Sequence, residues 1–131
     1  RSTPVICRQR QMCIRDRIDS VLSEGDCTFV SWLVGDEWKK IPKIKSKYMF
    51  GHFELPTFKL NAMVEMPDHG GLKSEMFTNQ EFVFSGHFHH RQIKGNVIYT
   101  GNAFPHNFSD SWDDERGWMF LEWGKEPEFF A

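Results

Sequence analysis

The sequence predicts an α/β domain, a layered sandwich built on a mixed sheet. Tyr48-Met49-Phe50 and Phe82-Val83-Phe84 are continuous apolar runs, the pattern of parallel strands buried on both faces between covering layers. Lys94-Gly95-Asn96 separates two short runs, 91–93 and 97–100, and its turn chemistry adds an antiparallel hairpin to the sheet. Each buried run also ends in Gly-His, as Gly51-His52 and Gly86-His87. That is the carboxyl end of a strand, where open α/β sheets place their sites.

The elements follow in order. Residues 1–17 hold five arginines and one aspartate, a net charge of +4. Met12-Cys13-Ile14-Arg15-Asp16-Arg17 matches what a transposon-type sequencing-library adapter encodes, so 1–17 reads as adapter-derived sequence to be set apart from the fold, or else as a short basic disordered arm. The domain proper is then 18–131. Residues 28–34, rich in Phe, Val and Trp, read as a strand. Residues 36–45 read as a short helical turn disrupted by Pro42, with Asp36 as a turn residue or helix N-cap. After the first buried run, 58–66 is mixed, Pro67-Asp68-His69-Gly70-Gly71 is a turn cluster, and 72–77 suits a short helix. A polar loop, 101–116, precedes a last strand at 118–123.

Composition narrows the function classes. Outside 1–17 the chain carries 11 basic and 17 acidic residues, net −6. Bulk charge therefore does not advertise nucleic-acid affinity, and any DNA contact must be local. Lys39, Lys40, Lys43, Lys45 and Lys47 form the one basic cluster of this part. They read as a solvated face, with Trp38, Ile41 and Ile44 turned inward, or as a steering surface for a phosphate backbone. No apolar run approaches the roughly 20 residues of a membrane span, and no signal peptide is recognisable. The expected location is intracellular, without membrane partners. Cys27, the single cysteine outside 1–17, reads as a buried thiol in a reducing compartment.

Gly86-His87-Phe88-His89 and Gly51-His52 put three imidazoles at two strand ends. A glycine lets the chain leave a strand sharply, and a histidine just beyond it reaches into a cleft. This grammar resembles the last two motif blocks of the calcineurin-like metallophosphoesterases. The fuller strings Phe-Gly-His-Phe-Glu (50–54), Phe-Ser-Gly-His-Phe-His-His-Arg (84–91) and Ile-Tyr-Thr-Gly-Asn-Ala-Phe (98–104) resemble in particular the SbcD-like nuclease subunits and the recombination endonuclease subunits of T-even-type bacteriophages. The likeness covers 27–123.

The resemblance implies a metallophosphoesterase-type sandwich acting as a DNA exonuclease or endonuclease in recombination and repair, with an SbcC-like ATPase subunit as partner. It implies two divalent metal ions, manganese first among them, with His52 and His87 on one ion and His89 on the other. Arg91 then takes a phosphate contact and His90 the cleft rim, although both also read as exposed strand starters. The family's Asp-x-His, bridging-Asp and Asn-His blocks are absent from this sequence. The chain thus corresponds to a truncated form, the second half of the domain, with no identifiable catalytic residue and no expected DNA cleavage by itself.

Two other readings fit the same residues. One is a nucleotide phosphodiesterase or phosphatase of the same superfamily. The other is a non-enzymatic or single-metal His-rich domain in which His52 joins the His-x-His pair. A shared metal task requires the two Gly-His strands to be neighbours with both turns at one edge, His89 reaching the same cleft and Phe88 packing away. Separation of His52 from both other rings by more than about 10 Å excludes any common ion, because metal–nitrogen bonds are only about 2 Å long.

Overall fold

The computed structural model describes residues 20–112 and 115–131; the expectation for 1–17 lies outside them. Eight strands are present among the described residues: β1 (Val21–Glu24), β2 (Cys27–Val30), β3 (Tyr48–Gly51), β4 (Phe82–Ser85), β5 (Gln92–Lys94), β6 (Val97–Tyr99), β7 (Trp118–Phe120) and β8 (Glu128–Phe130). The first six form one mixed sheet in the order β1-β2-β3-β4-β6-β5. Strands β2, β3, β4 and β6 run parallel, and β1 and β5 are antiparallel edges. Strands β7 and β8 make a separate ribbon. The domain is thus of mixed α/β type with little helix.

Strand alternation divides the apolar residues between two faces. Val30, Met49, Val83, Val97 and Tyr99 point into the main core, where Ile41, Phe53, Leu55, Phe58, Phe77 and Phe88 close over them. On the opposite face, cross-strand register aligns Phe29 with Phe50 and Phe50 with Phe84. These three rings stack in a row, 5.2 Å between successive centroids, and each such pair adds about 0.5–1.5 kcal/mol beyond the area it buries. Tyr48 lies on this face too. Its hydroxyl accepts the Gly124 N–H at 2.8 Å and its ring packs on Trp123, which fastens the segment between β7 and β8 to the sheet.

Several expectations are corrected in detail. Among the described residues the helical covering is three short 3-10 segments, Gly35–Lys43, Ser74–Met76 and Phe108–Asp110, so no long helix among them covers the aromatic row. Pro42 sits inside the first segment. A proline lacks an N–H donor, and the turn stops one residue later with Ile44 N–H donating to Ile41 O. The N-cap is Val34 rather than Asp36, because Glu37 Oε2 accepts the Val34 N–H at 2.8 Å while Asp36 pairs with Lys39. Ile41 is fully buried and the lysines around it face outward. The expected strand 28–34 is β2, which ends at Val30; the expected strand 118–123 ends at Phe120. Strands β1 and β8 appear in addition, only four and three residues long. No helix among the described residues is long and apolar enough to cross a membrane.

Candidate functional site

Parallel pairing of β3 with β4 sets Gly51 opposite Ser85, and the Gly86 N–H donates to Gly51 O at 3.1 Å. The chain leaves both strands at the same sheet edge, so His52 and His87 emerge side by side with ring centroids 5.3 Å apart. Gly86 is required by this closeness, since a β-carbon there would stand 2.9 Å from His52 Nδ1. His87 itself has φ +91°, left-handed backbone that is uncommon outside glycine and costs of order 1–3 kcal/mol. Such strain persists only where the surroundings enforce it.

Around it, Ser85 and Tyr99 hold the backbone next to both Gly-His pairs. Ser85 Oγ accepts the Phe53 N–H and donates to Gly86 O, each at 2.9 Å, which splices one Gly-His turn to the other. The buried Tyr99 hydroxyl donates to Phe53 O at 2.8 Å and accepts the Leu55 N–H at 3.2 Å. Burial holds this phenol far above its ordinary pKa, so it remains a donor throughout the working range. Both backbone groups after His52 are therefore satisfied by side chains from β4 and β6.

Trp32 covers the imidazole pair, its ring 5.7 Å from His52 and 5.4 Å from His87. Glu54, two residues beyond His52, brings Oε2 to 4.0 Å from His87 Nε2. Burial lowers the His87 pKa, Glu54 opposes that shift, and the other imidazoles add to it. The ring is consequently neutral near pH 7 and keeps a lone pair for an electrophile. Beside the pair, Trp32, Trp38, Leu33, Leu72, His52 and Glu54 line a cleft of about 140 Å³, room for a few waters at about 30 Å³ each.

The other residues of the Gly-His-Phe-His motif have partners of their own. Phe88 packs away into the core against Phe58 and Tyr99. His89 is bound to Asp110, both of whose oxygens lie 3.1 Å from Nδ1, and its ring neighbours His106 at 5.6 Å. Asp110 is buried, and the His106 N–H, followed by the His89 bond, holds its carboxyl below the usual range. His90 packs on Trp112. The Arg91 guanidinium lies 4.1 Å over the Phe129 ring and 3.7 Å from Glu115, so it is engaged within the fold rather than extended from an exposed strand start, and β5 begins only at Gln92. His69 stays on the turn before Gly70 and is exposed.

Donor geometry can be compared with what a metal demands. With metal–nitrogen bonds of about 2.0–2.1 Å, two imidazoles on one tetrahedral ion place their centroids about 5 Å apart. The 5.3 Å of His52 and His87 fits that spacing, and a neutral imidazole beside a carboxylate is suitable donor chemistry for manganese, iron or zinc. Among the described residues, however, no three His, Cys, Asp or Glu side chains close into a ligand shell. The residues present fit part of a metal site, two imidazoles with Glu54 at its margin.

Glu54, Trp32, Ser85, Tyr99 and Asp110 were not anticipated as parts of the site. Glu54 had a signal: residues i and i+2 of extended chain share a side, which places it with His52. Asp110 and Trp32 approach from loops, where no periodicity reports direction. No protein-family model matches this chain, and neither a curated protein nor a solved structure matches it.

Proposed function

We propose that this chain carries the histidine half of a two-metal phosphoesterase centre of the calcineurin-like metallophosphoesterase type, on the corresponding sandwich fold. Its substrate is DNA phosphodiester, cleaved exonucleolytically or endonucleolytically in recombination and repair alongside an SbcC-like ATPase. The observation that supports this reading most is the delivery of two Gly-His strand ends to one sheet edge, with rings 5.3 Å apart. Strain at His87, the Ser85 splice and the Tyr99 clamp support it further, because strained backbone clusters at functional sites.

His52 and His87 would hold one divalent ion, manganese first among candidates, and His89 Nε2 the other. Such ions polarise a phosphoryl oxygen and make bound water nucleophilic near neutral pH. The chain's own contribution is to present the neutral His87 imidazole beside His52, to shield the pair with Trp32, and to place one carboxylate, Glu54, beside them. The bridging aspartate and the Asn-His block must come from residues this sequence does not contain, and catalysis with them.

Hydrolysis of linear double-stranded DNA in manganese tests the proposal. The chain alone is expected to be inactive, and the chain joined to a segment supplying Asp-x-His, Asp and Asn-His is expected to cleave and to lose cleavage in His52→Ala and His87→Ala. Robust manganese-dependent hydrolysis by the chain alone, or cleavage by the joined form that survives both substitutions, overturns it.

A further inference from the structure

His89 and Asp110 form a couple that the Gly-His-Phe-His motif does not foretell. Both Asp110 oxygens lie 3.1 Å from His89 Nδ1. The carboxylate is 7% exposed and the imidazole 44%, so one edge of the ring meets the protein while the rest reaches the surface. An ionised carboxylate only accepts hydrogen bonds. The proton of a neutral His89 ring must then sit on Nδ1, leaving the lone pair on Nε2, because the partner of one ring nitrogen dictates the state of the other.

Asp110 is itself held from several sides. Its Oδ2 accepts the His106 N–H at 2.9 Å, and its carbonyl accepts from Arg116 Nη2 at 2.6 Å. The loop that bears it is fastened to the motif where Asn102 N–H donates to His89 O at 2.9 Å. Gly101 permits that approach, having φ +73° and no β-carbon to strike Arg91 N, which would lie only 2.8 Å away. Among the described residues of this loop, these contacts hold one carboxylate behind one imidazole.

We infer that Asp110 is a positioning residue that locks His89 in the Nδ1–H tautomer and presents Nε2 as its ligating nitrogen. The inference rests on the metal reading above for its purpose, but not for its geometry. Carboxylates behind metal-binding histidines fix ring orientation in this way, and their loss commonly weakens metal binding about 10–100-fold.

The test uses the full chain with 15N-labelled histidine, metal-free at pH 8, where imidazoles are ordinarily neutral. Long-range 1H–15N correlation should show His89 with a protonated Nδ1 and a lone-pair-type Nε2. Asp110→Ala should shift His89 to the Nε2–H form that free imidazole favours, while the amides of β4 and β6 stay in place. Zn2+ added to the wild type should move His89 Nε2 and not Nδ1, and Asp110→Ala should weaken that response about tenfold or more without altering the response of His52 and His87. A wild-type His89 protonated on Nε2 overturns the inference and needs no variant to fold. So does an unchanged tautomer in Asp110→Ala, or a Zn2+ response at His52 and His87 that never reaches His89. Zn2+ that moves none of the three rings refutes the metal reading instead, while the tautomer still decides whether Asp110 positions His89.

Discussion

Tyr99→Phe removes one oxygen atom from the centre of the fold and tests how the site is held. The ring stays packed, since its contacts with Phe58 and Phe88, 4.6 and 4.7 Å between centroids, do not involve the hydroxyl. What is lost is the acceptor for Leu55 N–H and the donor for Phe53 O. Each buried backbone group left without a partner costs about 1–3 kcal/mol, so the expected destabilisation is about 2–4 kcal/mol, a large share of the 5–15 kcal/mol that typically holds a domain together. With a urea m-value of about 1–2 kcal/mol/M the unfolding midpoint should fall by about 2 M. Tyr48→Phe is the control, because the one backbone group that hydroxyl holds, Gly124 N–H, is only part-buried, and its loss should cost only about 1 kcal/mol. A Tyr99→Phe protein within about 0.5 kcal/mol of wild type, the range of changes away from structural features, would refute the claim that Tyr99 clamps the segment after His52.

Three further outcomes are expected. Gly86→Ala places a β-carbon 2.9 Å from His52 Nδ1; the ring can swing aside, so stability should fall by less than about 1 kcal/mol while Zn2+ binding by the His52–His87 pair drops severely in calorimetric titration. At position 87, where φ is +91°, His87→Gly should be more stable than His87→Ala by about 1 kcal/mol in urea unfolding, because only glycine takes that backbone without strain; the reverse order argues against a strained turn. Asp110, whose carboxyl is depressed below 3.8 by the His106 N–H and then by His89, contributes stability that is fully present above the ordinary carboxylate value and is lost as pH falls through the depressed one. Protection of the His106 amide against hydrogen exchange, corrected for intrinsic rate, should accordingly weaken below about pH 4, and a pH-independent protection factor would contradict the assignment.

Sheet and site differed in how far the sequence disclosed them. Tyr48-Met49-Phe50 and Phe82-Val83-Phe84 were legible as buried strands because every residue in them packs, one side in the core and the other in the aromatic row. Strand β1, Val-Leu-Ser-Glu with three of its four residues exposed, carried too short an apolar pattern to be read, and its place rests on pairing with β2 and on Val21 against the core. The helical covering was legible only as position: apolar spacing located Ile41 inward, but the 3-10 geometry depends on Pro42 and on Glu37 reaching back to Val34. At the site, the two Gly-His strand ends announced His52 and His87, and alternation would have added Glu54. The orientation of His89 was not legible, because the group that decides it, Asp110, is 21 positions away in a loop fixed by tertiary hydrogen bonds rather than by local propensity.

The central claim is that the two strand-end histidines share one cation. Titration of the 15N-histidine-labelled chain with Zn2+, followed at the ring nitrogens, tests it most directly. His52 and His87 should shift together over the same concentration range, one nitrogen on each ring, and His52→Ala should abolish the response of His87. Independent titration of the two rings, or no response of either at millimolar Zn2+, would contradict the account.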